Sequence, residues 1–148
     1  MTNLVETHVA RQCILLHNLS EDDIARVLAL GNEETYHKGA ILVTQGKHDG
    51  KVFVLIEGMV QVQIDTANSK QTLLYLGPGQ LIGEITLVDG GPHSATVEVV
   101  QSPTRTLAFD RNELLALCDA HPALGYTLMR NIAADLSFKM RHHNLSVV

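Results

Sequence analysis

Cysteine, basic residues and long apolar runs are all scarce in this sequence, and each scarcity excludes a class of protein. The chain has two cysteines in 148 residues, Cys13 and Cys118, and they form neither a CxxC pair nor any other zinc-site spacing. Two isolated cysteines are typical of a reduced protein in which both thiols fill small apolar spaces. We therefore expect a reduced, cytoplasmic protein.

No stretch of the sequence approaches the 18 consecutive apolar residues that a membrane-spanning helix requires. The first residues, MTNLVETHVARQCILLHNL, lack the basic region and long apolar block of a secretion signal. Lys and Arg total 11 against 16 for Asp and Glu, so the formal net charge is -5. General attraction to nucleic acid or to an anionic membrane is therefore not expected, although one local basic pocket is compatible with this balance.

The length predicts a single domain over residues 1–148 with one core. A helix is predicted after Ser20, because acidic residues fill its first turn, apolar residues follow at helical spacing and Gly31 supplies a stop. From about Thr35 the apolar period becomes two, and glycines separate the β-rich runs. The sequence thus predicts an N-terminal helical region over 1–34 and a β-roll over 35–109.

The pattern returns to helix over residues 110–148. RNELLALCDAH predicts a short helix that ends near Pro122, and ALGYTLMRNIAADLSFKMRHHN predicts a long one. The long helix has a broad apolar face, which core packing explains in part, and contact with a second copy explains the rest. We predict a homodimer with these interface residues: Leu128, Met129, Ile132, Leu136 and Met140. The fold class is α+β, an antiparallel, jelly-roll-like β-roll of about eight strands with an N-terminal helix and a long C-terminal helix.

Two glycine-punctuated stretches lie within the predicted β-roll. HKGAILVTQGKHDGKVFVLIEGMVQV contains Gly39, Gly46 and Gly58, and GPGQLIGEITLVDGGPHSATV contains the pair Gly83-Glu84. The first resembles the opening half of the cyclic-nucleotide-binding domain of the catabolite activator protein and protein kinase A regulatory subunit family. The second resembles the phosphate-binding cassette of that family, and the resemblance extends over about residues 19–143.

This resemblance implies a stand-alone regulatory domain that senses cyclic AMP or cyclic GMP, with no other cofactor. A carboxylate accepts a hydrogen bond from a sugar hydroxyl but repels a phosphate, so Glu84 is expected at the ribose end of the site. Backbone N–H groups after Gly83 and the Ser94 hydroxyl are expected at the phosphate. The implied ligand-binding residues are Gly83, Glu84, Ile85, Thr86, His93, Ser94 and Ala95, with Val62 and Leu73 as apolar walls.

One position departs from the family pattern. The nucleotide binders have arginine in Pro-Arg-Ser-Ala-Thr, whereas this chain has His93 between Pro92 and Ser94. A guanidinium grips two phosphate oxygens with a permanent charge, whereas a neutral imidazole offers one donor. Loss of such a contact lowers affinity about a hundredfold, so binding is predicted to be weak or lost. Because an ordinary histidine gains a proton at about pH 6.5, the sequence predicts stronger binding near pH 6 than at pH 8.

Each part of this loop also has an ordinary structural explanation. Glu84 is equally a solvated acid at a strand end, His93 a loop residue without a ligand, and Ser94 an entry into the next strand. The alternative function is a ligand-independent module for dimerisation or partner docking.

An enzyme is not expected, because the sequence has no Gly-x-Ser-x-Gly or comparable nucleophile motif. No metal site is expected either. A cupin-like metal enzyme is a distant alternative, and it would normally require a His-x-His pair that this sequence lacks.

Transcription factors of the family continue past the long helix into a helix-turn-helix domain, whereas this sequence ends at Val148. We therefore expect no DNA binding. The partners expected are a second copy of the chain and an unidentified effector protein.

Overall fold

The computed structural model of the chain describes residues 12–142, so the two ends of the predicted domain, 1–11 and 143–148, lie outside the described residues. A 3-10 turn at Ile14–Leu16 precedes helix α1 at Glu21–Leu28. The Ser20 hydroxyl accepts a hydrogen bond from the Asp23 N–H at 3.1 Å, which confirms the predicted helix start.

Eight strands lie between α1 and the C-terminal helices in the described part of the chain, and one short helix interrupts them. The strands are β1 Asn32–Tyr36, β2 Ile41–Val43, β3 Lys51–Glu57, β4 Val60–Asp65, β5 Lys70–Leu76, β6 Leu81–Ile82, β7 Thr96–Val99 and β8 Thr104–Asp110. The short helix α2 is Glu84–Asp89, and the C-terminal helices are α3 at Arg111–Ala120 and α4 at Pro122–His142.

The strands form two four-stranded sheets in the orders β1-β8-β3-β6 and β2-β7-β4-β5, and every pairing is antiparallel. The predicted fold class is therefore confirmed: eight antiparallel strands, an N-terminal helix and a long C-terminal helix. One difference is that β1 begins at Asn32, within the predicted helical region. Its sequence NEETY is polar because β1 lies at a sheet edge, so no apolar alternation marks where the strand begins.

Strand β3 separates two apolar cores. Val52 and Val54 pack with the helices, whereas Phe53 and Leu55 pack between the sheets. Side chains alternate between the two faces of a strand, so a strand buried on both faces has a continuous apolar sequence. This explains the unbroken run VFVLI, and it places β3 at the centre of the fold.

Helix α4 packs its predicted apolar face into the helical core of its own chain. Leu128 and Ile132 are only 0% and 1% exposed there, and Met129 and Leu136 pack partly buried against the same core. Leu128 and Ile132 are therefore covered by their own chain, and the dimer interface that includes them stays a prediction. Met140 differs from them, since it is 43% exposed.

A polar contact also fixes α4. The Asn131 side-chain amide donates to the backbone carbonyls of Leu15 and His17, each at 2.8 Å. The helix is thereby attached to the 3-10 turn near the start of the described chain. None of the helices within residues 12–142 has the length and apolar character needed to cross a membrane.

The position of Ile132 leads to a test that separates core from interface. We expect Ile132→Ala to lower the free energy of unfolding by about 2–5 kcal/mol, because it leaves a cavity in a close-packed core. Urea unfolding at two protein concentrations measures this, with Ser137→Ala on the exposed side of α4 as the control. A loss of stability that disappears at the higher concentration would instead place Ile132 at a subunit interface.

Candidate ligand-binding site

The short helix α2 begins immediately after a glycine that the backbone requires. Gly83 has φ +88°, and a Cβ atom built on it would lie 2.7 Å from the Lys51 carbonyl oxygen. Strand β3 therefore approaches this position too closely for any side chain. Glu84 follows as the first residue of α2, and its side chain is buried in the protein.

A cavity of about 710 Å³ lies beside α2 and is called here the α2 cavity. All nine residues predicted to bind ligand line it: Val62, Leu73, Gly83, Glu84, Ile85, Thr86, His93, Ser94 and Ala95. Strands β4 and β5 supply the apolar wall, and Leu136, Lys139 and Met140 of α4 close one side. The structure thus brings the predicted residues together, and their contact with a ligand stays a prediction.

Glu84 belongs to an ionic cluster that it forms with Lys139 and Asp135 of α4. The Lys139 ammonium donates to Glu84 Oε1 at 2.6 Å and to the Leu81 carbonyl at 3.0 Å. Asp135 Oδ2 lies 2.9 Å from the same nitrogen, an ionic contact without good hydrogen-bond geometry. The three charged residues are 5–7% exposed. The prediction of a solvated Glu84 is therefore excluded.

Burial tends to lower the pKa of Lys139, but the negative charges of Glu84 and Asp135 and the hydrogen bond to Glu84 outweigh it, so the pKa is raised overall. Lys139 is therefore cationic at neutral pH. Its ammonium has three oxygens within 3.0 Å, which matches its three N–H donors.

His93 is buried, and both of its ring nitrogens contact protein groups. Nε2 lies 2.6 Å from Asp49 Oδ1, and Nδ1 lies 3.2 Å from the Thr86 hydroxyl. The His93 backbone also pairs with the loop after β2: its N–H donates to the Lys47 carbonyl at 3.0 Å, and its carbonyl accepts from the Gly46 N–H at 2.8 Å. His93 therefore connects α2 to that loop, and its side chain has no nitrogen left over for a phosphate in this arrangement.

Asp49 behaves as the charged partner of this histidine. Burial tends to raise the pKa of Asp49, but a hydrogen bond from the Lys51 N–H and the contact with His93 outweigh it, so the pKa is lowered. Asp49 is thus a carboxylate at neutral pH, and it faces the imidazole that the sequence assigned to the phosphate. An imidazolium at this position would be paired with Asp49 first.

The remaining predicted residues divide by exposure. Ile85 and Ser94 are exposed at the rim, whereas Thr86 is 2% exposed and donates its hydroxyl hydrogen toward the Gly91 carbonyl at 3.2 Å. Ser94 therefore offers an accessible hydroxyl to a ligand. Thr86 instead holds the loop in shape.

Sequence analysis did not identify Asp49, Asp135 and Lys139. The last two carried a detectable signal, because residues 128, 132, 135 and 139 recur on one helix face, so two charges continue the buried apolar stripe. Charged residues on a buried face require partners. Asp49 carried no comparable signal, since its contact with His93 joins residues 44 positions apart.

Within residues 12–142, no cluster of three or more His, Cys, Asp or Glu side chains is arranged to hold a metal ion.

Comparison with known proteins gives a definite relationship. The family model for the cyclic nucleotide-binding domain matches residues 33–121, which extend from the second residue of β1 through α3 and include the whole stretch 83–96.

The chain belongs to the cyclic nucleotide-binding domain family. The cyclic AMP receptor protein of Thermus thermophilus is 29% identical over 134 residues, which are 90% of this chain and 60% of that protein. The chain spans 60% or less of the length of the curated relatives it matches here.

Solved structures share the architecture of this cyclic nucleotide-binding domain. The crystal structure of the Thermus thermophilus catabolite activator protein matches with a TM-score of 0.76 at 29% identity, over 89% of this chain and 60% of that one. A cyclic nucleotide-binding domain from Methylobacillus flagellatus matches with a TM-score of 0.82 at 23% identity, over 92% of this chain and 76% of that one. The second likeness concerns the fold alone.

The contact at Gly83 provides a test of how the cavity is built. We expect Gly83→Ala to lower the free energy of unfolding by more than the roughly 1–2 kcal/mol that a left-handed alanine costs, because its methyl group also meets the Lys51 carbonyl. Gly46→Ala is the matched control, with φ +86° and no heavy atom near its Cβ. Equal losses in urea unfolding would show that β3 does not press on α2.

Proposed function

We propose that this domain is a regulatory ligand sensor that binds a cyclic nucleotide, with low affinity, in the α2 cavity. The observation that carries the proposal is the buried Glu84 at the start of α2, facing a cavity that the predicted cassette residues line. A volume of about 710 Å³ lies within the usual range for small-molecule sites. The family relationship supports a ligand-sensing role at the same site.

The cavity divides chemically into two ends. Glu84 is an acceptor suited to the ribose hydroxyl, and Val62 and Leu73 offer apolar surface to a flat base. Ser94 is the accessible hydroxyl on the opposite segment of the loop, where the phosphate would bind. The ligand would therefore lie across α2, with its sugar toward α4.

Low affinity is expected because the basic side chains beside the cavity are already paired with carboxylates. Of the described residues that line the cavity, Lys139 is bound to two carboxylates and His93 is bound to Asp49. Each would have to leave an existing partner to reach a phosphate. The phosphate would then depend on hydroxyl and backbone donors, which bind it less strongly than a guanidinium does.

A docking or dimerisation role is the second candidate, and it has one observation in its favour. Tyr126, Phe138 and Met140 of α4 are 65%, 51% and 43% exposed. A homodimer would use these side chains in place of Leu128 and Ile132. The cytoplasmic location and the effector protein expected from the sequence stay predictions.

Calorimetric titration with cyclic AMP and cyclic GMP at pH 6 and pH 8 tests the proposed function. We expect measurable binding to the native chain and about a tenfold or larger loss in Glu84→Gln, because the ligand loses a charged acceptor. Glu113→Gln, at an exposed acid on α3, is the matched control and should bind as the native chain does. No binding to the native chain at millimolar concentration would favour the docking role.

The contact between Asp49 and His93 predicts how the missing arginine can be restored. We expect His93→Arg alone to strengthen binding little, since Asp49 would capture the guanidinium. The double variant His93→Arg/Asp49→Asn should bind cyclic AMP about tenfold to a hundredfold more tightly, because the freed fork can grip the phosphate. Calorimetry measures both, and urea unfolding confirms that each variant is folded. A full gain from His93→Arg alone would mean that Asp49 does not control this position.

A further inference from the structure

The proposed function assigns Glu84 to a ligand hydroxyl but leaves the other two members of the ionic cluster without a role. Lys139 and Asp135 lie one helical turn apart in the second half of α4, and both are 5% exposed. Buried charges are retained in a fold only where they are paired, and this cluster pairs two acids with one base. The cluster meets the cavity through Glu84 and Lys139.

Lys139 is unsuited to binding a phosphate directly. Three protein oxygens already surround its ammonium, and two of them are carboxylate oxygens at 2.6 and 2.9 Å. A phosphate that reached Lys139 would leave Glu84 and Asp135 as two buried carboxylates without their cation. The ammonium is therefore a partner for protein groups.

Glu84, in contrast, keeps capacity for a ligand while Lys139 is bound. An ionised carboxylate has two oxygens with about four acceptor positions. Lys139 donates to Oε1 alone. A ligand hydroxyl can therefore share Glu84 with Lys139, without displacing it.

We propose that Lys139, held in place by Asp135, is a positioning residue that keeps the Glu84 side chain aimed into the α2 cavity. The inference rests on the proposed function and deepens it by naming what determines sugar specificity. A ligand hydroxyl next to Glu84 is recognised only while the last turns of α4 are docked. Selection for a ribose over a deoxyribose ligand is then a property of α4 as much as of α2.

The test measures the preference for a ribose. Cyclic AMP and its 2′-deoxy analogue are titrated into the native chain and into Lys139→Met, Lys139→Arg and Arg141→Met. We expect the native chain to prefer cyclic AMP by about tenfold or more, the size expected for a hydrogen bond to a charged group. Lys139→Met should lose most of that preference through weaker binding of cyclic AMP, with the deoxy affinity unchanged. Lys139→Arg should keep part of the ribose preference. Arg141→Met, which removes an exposed cation two residues after Lys139, should keep all of it.

A second variant controls for misfolding caused by the loss of the Lys139 charge. Lys139→Met leaves two buried acids, which repel each other, so Asp135→Asn/Lys139→Met is measured beside it, and urea unfolding confirms that both are folded. The double variant is expected to lose the ribose preference in the same way. A purely structural role would weaken both ligands equally and leave their ratio intact.

Two results overturn the inference alone. One is an unchanged ribose preference in both Lys139→Met and Asp135→Asn/Lys139→Met, and the other is tighter binding of cyclic AMP by Lys139→Met. The second result would mean that Lys139 competes with the ligand for Glu84. Failure of the native chain to bind either nucleotide at millimolar concentration overturns the proposed function, and this inference with it.

Discussion

The buried carboxylate of Glu84 is the constraint on which the site depends. A buried carboxylate requires a cation, and Lys139 supplies one from near the C-terminal end of the described chain, 55 positions away. Removing one member of a buried ion pair costs about 3–5 kcal/mol, so the pair effectively fixes α4 against α2. The acid at the start of α2 therefore helps to determine how the second half of α4 packs.

A second attachment acts on the opposite side of α2. His93 binds Asp49 and Thr86 through its ring and the loop after β2 through its backbone. The imidazole is thus satisfied within the protein, and a guanidinium in its place would have its charge free for a ligand only if Asp49 did not capture it. The same replacement that removes a phosphate contact thus adds a contact that stabilises the loop.

The sequence predicted the fold well because its signals were local. Glycines separated the strands, Ser20 and Gly31 bounded α1, and the residue before Pro122 ended α3. The nine residues predicted to bind ligand line one cavity, since they lie close together in the cassette or on neighbouring strands. The partners of those residues were not predicted, because Asp49 and Lys139 meet them only through long-range packing. The sequence could not separate core from interface on α4 for a related reason: an apolar helix face looks the same whether a core or a second copy covers it, and in this chain the core covers Leu128 and Ile132.

The contact of Glu84 with Lys139 and the contact of His93 with Asp49 give the two ends of the cavity different binding chemistry. At the end proposed for the sugar, the Glu84 carboxyl group is held by a dedicated cation, so its geometry suits a hydrogen bond from a hydroxyl. At the phosphate end the histidine is already paired with Asp49, and Ser94 is the exposed donor among the predicted residues. The ionic cluster itself carries two negative charges against one positive, which does not attract an anion. Under the proposed function, recognition would therefore depend more on the ribose hydroxyl than on the phosphate charge, and α4 would take part in it through Lys139.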